Sequence, residues 1–392
     1  LHLGAIVLIG GLGDRLGRGA FAVAAVPAVA STLWAVQLAW SEEVATAELN
    51  WVEGLDLTLG FRVDGLAAMM TLLVSGIGAL VFAYAAGYFS PGTAGVGRFA
   101  ATLLAFATSM LGLVWADTVW ALFLFWELTS ITSFLLVGHK HVDAVARTAA
   151  RRALFLTVSG GLALLAGFVL LVDAGGTARL SDLSPATGTS ATIAAVAILF
   201  AAATKSAQVP FHVWLPGAMV APTPVSAYLH SATMVKAGVL LVAIAAPALA
   251  TTDVWTPLGL AFGITSMIWG SVGALRHVDA KLILAWGTVS QLGLMITLLV
   301  LDDPKATLAG ISMLLAHAVF KAALFMVVGE IDVRTGTRDI RQLGGLRQTM
   351  PIAFWVAVIS GASMAGIPPM LGFATKEAAV EAVIKLSGAE LW

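Results

Sequence analysis

The residues of this chain that could do chemistry are ionisable side chains set within strongly apolar segments. They form one candidate site of seven residues: Glu127, Lys205, His230, Lys236, His317, Lys321 and Lys376. A charge at the centre of a bilayer costs about 2.5–3.5 kcal/mol on insertion scales, so an ionisable residue there indicates a function by default. A buried lysine can release its proton whereas guanidinium cannot, and histidine titrates near neutral pH. We therefore expect these groups to bind and pass on protons.

Glu127 is the acid nearest the centre of an apolar segment. Its carboxylate would stabilise the charged form of whichever lysine approaches it, so that lysine would keep its proton when paired and pass it on when separated. The alternative is a purely structural ion pair. For Lys321 the alternative is snorkelling toward an interface, although His317, four residues earlier, lies on the same helical face. For His230 the alternative is a structural, hydrogen-bonded histidine.

The composition places these residues in a membrane protein. Of the 392 residues, 59% are hydrophobic and 11% are charged, against about 25% charged in soluble proteins. The net charge of −1 argues against a nucleic-acid binder. The absence of cysteine excludes disulfides and thiolate metal sites. The chain carries no nucleotide-binding or metalloprotease motif, and we expect neither a cofactor nor a metal ion.

Apolar runs predict about twelve membrane-spanning helices, by the usual length rule. The first run is short for a span, and the last stretch stops abruptly, so we expect a piece of a longer protein. Alternation of apolar and polar residues within 41–62 predicts a small hairpin outside the bilayer. The predicted spans are 1–12, 20–40, 63–88, 99–116, 118–138, 150–172, 191–216, 223–247, 256–275, 281–301, 306–329 and 351–376.

The distribution of lysine and arginine predicts which loops are cytoplasmic. One set of loops carries most of these residues: Arg15, Arg18, Arg98, Lys140, Arg147, Arg151, Arg152, Arg276, Lys281, Arg334, Arg338, Arg341 and Arg347. The loops of the opposite side carry only Arg62, Arg179 and Lys305. One missed helix would scramble this asymmetry, so it supports the span count. We expect the basic side to be cytoplasmic.

Two of the predicted spans contain prolines and a lysine. The seventh contains Lys205–Pro216, and the twelfth contains Gly366–Glu377. Such broken spans, five apart, indicate an internal repeat in transporters, and copies of odd length have opposite topology. We predict N-terminal helices one to three within 1–98, a first five-helix repeat over 99–247 and an incomplete second repeat over 256–392.

Three segments resemble one family of membrane proteins. They are Phe125–Leu136 (FWELTSITSFLL), Leu229–Gly238 (LHSATMVKAG) and Leu315–Phe325 (LAHAVFKAALF). They look like the proton-pumping, antiporter-like subunits, which include the large membrane subunits of respiratory complex I and the A and D subunits of Mrp-type multisubunit Na⁺/H⁺ antiporters. The first two segments, and Phe61–Leu66 (FRVDGL) after the hairpin, are most similar to the Mrp-type A subunits.

The resemblance implies an all-α polytopic fold of two inverted five-helix repeats with broken helices seven and twelve, and a polar axis through the membrane centre. It implies that Glu127 pairs with Lys205. It also implies a proton path along the other candidate residues: His230, Lys236, His317, Lys321 and Lys376. The implied partners are other membrane subunits of a hetero-oligomeric complex in the cell membrane.

The sequence leaves two functions open. One is a proton-translocating subunit of a cation/proton antiporter, which Lys236 and the Thr129–Ser130 motif favour. The other is a proton-pumping subunit of an NADH-quinone oxidoreductase or a related redox complex. A structural membrane anchor is disfavoured by the number of intramembrane ionisable groups. Sodium prefers oxygen ligands, and this chain offers one intramembrane carboxylate, so we expect the sodium path to lie elsewhere in the complex.

Overall fold

The computed structural model describes residues 1–41, 43–52, 54 and 57–386, with only the backbone described for Asp14. Within this part of the chain, ten helices are long and apolar enough to cross a membrane. Shorter apolar helices lie at His2–Gly13, Phe211–Val220 and Pro351–Ala365. The prediction of an all-α polytopic membrane protein is confirmed. The first and twelfth predicted spans coincide with two of these shorter helices and not with a helix of spanning length.

Most of the helices pack around one large apolar core, and a second, small cluster lies between α13, α14 and α17. Most of the connecting loops are short. A two-stranded antiparallel sheet formed by β1 (Ala45–Val52) and β2 (Leu57–Val63) confirms the predicted hairpin. The helices are α1 (His2–Leu16), α2 (Gly19–Ser41), α3 (Gly65–Thr71), α4 (Ile77–Tyr88), α5 (Val96–Trp115), α6 (Val119–Val137), α7 (Ala144–Gly175), α8 (Gly188–Lys205), α9 (Trp214–Gly217), α10 (Thr223–Ser231), α11 (Met234–Leu249), α12 (Trp255–Arg276), α13 (Ala280–Leu299), α14 (Pro304–Thr335), α15 (Leu346–Thr349), α16 (Pro351–Ala365) and α17 (Leu371–Leu386).

Capping residues define the ends of the two longest helices. Asp143 accepts a hydrogen bond from Val145 N at the start of α7, and Asp303 accepts one from Ala306 N at the start of α14. Both helices end at a glycine in the left-handed conformation, which is strained for other residues. Each is 32 residues long. The two helices are five spans apart, and their equal lengths agree with the predicted inverted repeat. The repeat itself stays a prediction.

Both predicted breaks are present. In the seventh span α8 ends at Lys205, and the chain continues through short helical turns over Phe211–Val220. In the twelfth span α16 ends at Ala365, and α17 begins at Leu371. Proline cannot donate to the helical ladder, so these segments leave backbone carbonyls free of helical partners.

The structure adds two irregularities that hydropathy did not predict. A π-helical turn over Leu72–Gly76 joins α3 to α4, and a break at Ala232 and Thr233 separates α10 from α11. Hydroxyls near both places donate to their own backbone, as when Thr233 Oγ1 bonds Tyr228 O at 2.8 Å. Serine and threonine that compete for the backbone in this way bend or interrupt helices. The second break falls between His230 and Lys236.

Contacts between loops support the predicted grouping of loops by side. Arg179, after α7, bonds Glu48 of the hairpin, and Asp117, before α6, accepts a hydrogen bond from Ser181 N at 3.0 Å. On the other side Arg338 Nη2 lies 2.9 Å from Asp279 Oδ2. Loops that contact each other must lie on the same side of the membrane, and an even number of predicted spans separates the loops of each of these pairs. Which side is cytoplasmic stays a prediction.

Candidate functional site

Lys205 lies at the end of α8 and reaches across to α6. Its side chain is fully buried, and its Nζ donates to Trp126 O at 2.9 Å and to Ser130 Oγ at 2.8 Å. The ammonium also lies 4.8 Å from the centre of the Trp126 ring. These partners flank Glu127 along α6. The break after α8 and the hydroxyl of Ser130 therefore place the lysine beside the acid.

Glu127 and Lys205 are neighbours without forming a direct ion pair. In the described part of the chain no nitrogen–oxygen contact within 4.0 Å joins them, and Glu127 Oε1 is buried with no hydrogen-bond partner. The two residues are thus close together, as the predicted pairing requires, but they do not form an ion pair in this structure. A carboxylate and an ammonium held at this range can separate or approach by rotation of their side chains alone.

Two adjacent glycines of α7 make room for this pair. A Cβ at Gly161 would collide with Glu127 Oε1, and a Cβ at Gly160 would collide with Thr204 Oγ1, the residue before Lys205. Both glycines are buried in mid-helix, where glycine is unfavourable by about 1 kcal/mol relative to alanine. Their presence is explained by the close approach of α6 and α8 to α7.

Lys236 connects α11 to α14. Its side chain is fully buried, and its Nζ donates to Leu314 O at 2.8 Å. His317 follows Leu314 by three residues on α14 and is also fully buried, with neither ring nitrogen bonded to a described residue. His317 is within electrostatic range of both Lys236 and Lys321. The histidine therefore lies between two lysines.

Lys321 extends the line of basic groups from α14 to α13. Its Nζ donates to Leu284 O at 2.8 Å, and a Cβ at Gly287 would lie 3.1 Å from the same nitrogen. The side chain is fully buried. The snorkelling alternative for Lys321 is wrong, because the ammonium is held in the interior by a carbonyl of the neighbouring helix.

His230 and Lys376 are the candidate residues with the fewest contacts to the rest of the site. The His230 ring is buried between Trp214 and Phe325, at centroid distances of 6.2 and 6.0 Å, and its Nδ1 has no hydrogen-bond partner among the described residues. The structural alternative for His230 requires a hydrogen bond, and at Nδ1 the described residues do not provide one. Lys376, on α17, is half-buried and donates to Met364 O at 2.6 Å near the end of α16.

Lys281 is a buried lysine that sequence reasoning assigned to a basic loop, and that assignment is wrong. It is the second residue of α13, only 2% exposed, and its Nζ donates to Ala221 O at 2.6 Å just before α10. It also lies within electrostatic range of His230. The available signal was its position two residues after Asp279, whose side chain caps α13 and so fixes where the apolar helix begins.

One arrangement recurs through the site. Each of these five lysines, four buried and one half-buried, donates to a backbone carbonyl of a different element. Those carbonyls belong to α6, α14, α13, the end of α16 and the segment before α10. A carbonyl accepts a hydrogen bond from either the charged or the neutral amine, so it holds the nitrogen in place without fixing its charge. The described residues contain no cluster of three metal-ligating groups.

Comparison with known families places the chain. The family described as NADH:quinone oxidoreductase/Mrp antiporter, TM, matches residues 116–392. The chain belongs to this family. Residues 49–100 match a second family, described as NADH-Ubiquinone oxidoreductase (complex I), chain 5 N-terminus. The first match includes all seven residues predicted for the site, together with Lys281.

Individual relatives are more specific. The chain is 43% identical over 366 residues to the A1 subunit of the Na(+)/H(+) antiporter of Staphylococcus haemolyticus, covering 88% of this chain and 45% of the relative. It is 45% identical over 356 residues to the corresponding A subunit of the Na(+)/H(+) antiporter of Alkalihalophilus pseudofirmus, covering 86% and 44%. The chain thus spans less than half the length of these relatives.

Two solved structures share the fold. The Mrp complex from Dietzia sp. DQ12-45-1b superposes with a TM-score of 0.90 at 40% identity, covering 97% of this chain and 42% of that one. A chain of the membrane-bound sulfane sulfur reductase, an archaeal respiratory membrane complex, superposes with a TM-score of 0.86 at 21% identity, covering 97% and 80%. The second likeness shows the fold alone.

Proposed function

We propose that the chain is the proton-translocating part of a multisubunit Na⁺/H⁺ antiporter in the cell membrane. The observation that carries this proposal is the line of buried lysines and histidines from Lys205 to Lys321, in which each lysine donates to a backbone carbonyl of another helix. Relatives above 40% identity that are named as A-type subunits of Na(+)/H(+) antiporters favour this function over redox-driven pumping. The role of the chain is transport within a complex and not catalysis.

The switch rests on Glu127 and Lys205. An opposite charge nearby favours the protonated lysine, while burial favours the neutral amine. When Glu127 approaches Lys205, the lysine keeps its proton. When a charge arrives on the neighbouring groups, the balance changes, and Lys205 releases its proton to the next site. Because Trp126 O and Ser130 Oγ hold the nitrogen in both states, only the proton and the carboxylate need to move.

Protons pass the gaps between fixed lysines by way of histidines and water. His317 lies between Lys236 and Lys321, and its two ring nitrogens can take a proton on one side and give it up on the other. Buried polar atoms with no partner among the described residues, such as Gln208 Oε1 and Gln291 Oε1, lie near the same elements. Water in contact with such atoms completes hydrogen-bonded chains inside proteins.

Sodium takes a path outside this part of the chain. A hard cation requires several oxygen ligands, and the buried groups described above are almost all basic. This segment expressed alone in proteoliposomes is therefore expected to show no sodium-dependent proton exchange, whereas the assembled complex shows it. Sodium-dependent exchange by the segment alone, followed with a pH-sensitive dye, would place the sodium path within it.

The experiment that tests the function is reconstitution of the complex from its native membrane. Sodium added outside acid-loaded proteoliposomes should raise the internal pH, and the purified complex should contain small membrane subunits without flavin or iron–sulfur clusters. Lys321→Ala should abolish the response, while Lys305→Ala, at an exposed position, should leave it unchanged. Sodium-insensitive proteoliposomes whose complex contains flavin would favour the redox alternative.

A further inference from the structure

A cavity on the predicted cytoplasmic side carries positive charge and lies outside the proton path. Its volume is about 390 Å³, and it is lined by one end of α5, the end of α6 and the loop that follows. The basic groups in its lining are Arg98, His139 and His141, and the remaining lining residues are Phe99, Thr102, Leu135, Leu136 and Gly138.

Two of the basic groups converge on a single point. A Cβ at Gly95 would lie 3.7 Å from Arg98 Nη2 and 3.8 Å from His139 Cε1. The His139 ring packs edge-on against Phe99, at a centroid distance of 4.9 Å, which fixes its orientation. Arg147 Nη1 donates to the carbonyls of His141 and Val142, both at 2.8 Å, and so anchors the loop.

The positive charge of this cavity is not neutralised by the protein that is described. The Arg98 guanidinium makes no hydrogen bond or ion pair with any described residue, and the nearby Asp143 is engaged in capping α7. Burial lowers the pKa of His139, and the positive charges of Arg98, His141 and Lys140 lower it further. Positive groups thus surround the His139 ring, and the Arg98 guanidinium beside it has no acidic partner among the described residues.

The walls of the cavity distinguish between kinds of anion. Leu135 is 51% exposed and Ile131, one turn earlier on α6, is 48% exposed, so the cavity continues onto an apolar face. A free phosphate ion would gain nothing from that face. A phospholipid would place its phosphate beside Arg98 and an acyl chain along α6. Basic pockets between transmembrane helices on the cytoplasmic side bind anionic lipid headgroups.

We propose that the cavity formed by Arg98, Phe99, Leu135, His139 and His141 binds one anionic phospholipid by its phosphate. This site is separate from the transport function proposed above and does not depend on it. The lipid would bridge α5 and α6, the helix that carries Glu127. Its binding would therefore fix the end of α6 that lies farthest from the hairpin.

The test uses a fluorescent label at the site. The chain contains no cysteine, so Thr102→Cys introduces its only labelling position in the cavity lining. In the assembled complex, the label should be quenched by brominated phosphatidylglycerol at a lower mole fraction than by brominated phosphatidylcholine. Unbrominated phosphatidylglycerol should reverse the quenching, whereas inorganic phosphate should not. These comparisons use a chain that keeps all its basic residues.

Variants of Arg98 then test whether its positive charge binds the lipid. Arg98→Gln should raise the half-quenching mole fraction of phosphatidylglycerol about fivefold, which corresponds to one basic contact near a membrane surface. Arg98→Lys should stay close to the unchanged chain, and Arg347→Gln, which removes an exposed charge elsewhere, should have no effect. Equal quenching by both lipids, reversal by inorganic phosphate, or an unshifted curve for Arg98→Gln would overturn the proposal. Lack of quenching by any lipid, as expected for a cavity covered by a neighbouring protein of the complex, would overturn it too.

Discussion

Among the residues that the structure describes, each buried lysine donates to a backbone carbonyl and none donates to a carboxylate. Lys236 and Lys321, for example, donate to Leu314 O and Leu284 O at 2.8 Å. A buried ion pair broken on one side costs about 3–5 kcal/mol, so fixed pairs would hold protons too firmly for transport. A carbonyl positions the amine and leaves its charge free to change.

At this scale Lys281 gives the first prediction. It is as deeply buried as the predicted lysines and lies in the electrostatic range of His230. Lys281→Met keeps the apolar stem but removes the titratable amine, and sodium-driven proton exchange by the assembled complex should fall by about a hundredfold, the scale of losing one positioned proton-transfer group. Lys305→Met, at an exposed position, is the matched control. Full activity of Lys281→Met would make Lys281 a structural residue only.

The sequence identified buried ionisable residues in the middle of apolar runs better than those at the edges of such runs. Lys205, Lys236 and His317 stood out because charge in an apolar run is expensive, and all three are fully buried. Lys281 did not stand out, since a lysine at the edge of an apolar run looks the same whether it points outward or inward. Only the carbonyl of Ala221, some sixty residues away, decides its direction.

At the scale of elements, α7 packs against both residues of the switch, Glu127 and the end of α8 that carries Lys205, and so positions them. Its neighbours α6 and α8 approach closely because Gly160 and Gly161 present no side chains. Gly161→Ala should force the Glu127 carboxylate aside, with an overpacking cost of about 1–3 kcal/mol. We expect a lower melting temperature and reduced proton exchange by the complex. Gly175→Ala, at the open end of α7, is the control and should change neither.

An unchanged exchange rate for Gly161→Ala would show that the position of Glu127 in this structure is not the working one. Measuring both the melting temperature and the exchange rate separates an effect on packing from an effect on the switch. A change confined to stability would make the glycine pair a packing feature, and a loss of exchange in a complex that melts normally would assign it to the switch.

Sequence periodicity predicted the elements that depend on hydropathy and proline. The hairpin and both proline breaks were anticipated for that reason. The break at Thr233 and the π-helical turn at Leu72–Gly76 were not, because hydroxyl groups that bond their own backbone leave no mark on a hydropathy pattern. The inverted repeat also stays a prediction, supported by the equal lengths of α7 and α14.

At the scale of the whole molecule, the predicted orientation can be tested directly. Thr148→Cys lies at the start of α7 on the basic side, and Thr46→Cys lies on the hairpin. A membrane-impermeant maleimide applied to intact cells should label Thr46→Cys only, and permeabilised cells should label both. Labelling of Thr148→Cys in intact cells, or of both residues from one side, would contradict the orientation by positive charge.

The central claim is that Glu127 and Lys205 act as one proton switch, and a double-mutant cycle in the assembled complex tests it most directly. Sodium-driven proton exchange in proteoliposomes should be lost in Glu127→Gln and in Lys205→Ala. The double variant should be no worse than either single one, because residues that act as a unit are not additive. Lys205→Arg should also be inactive, since guanidinium does not release its proton. Near-normal exchange by Glu127→Gln or Lys205→Arg would contradict the switch and leave the two residues as a structural contact.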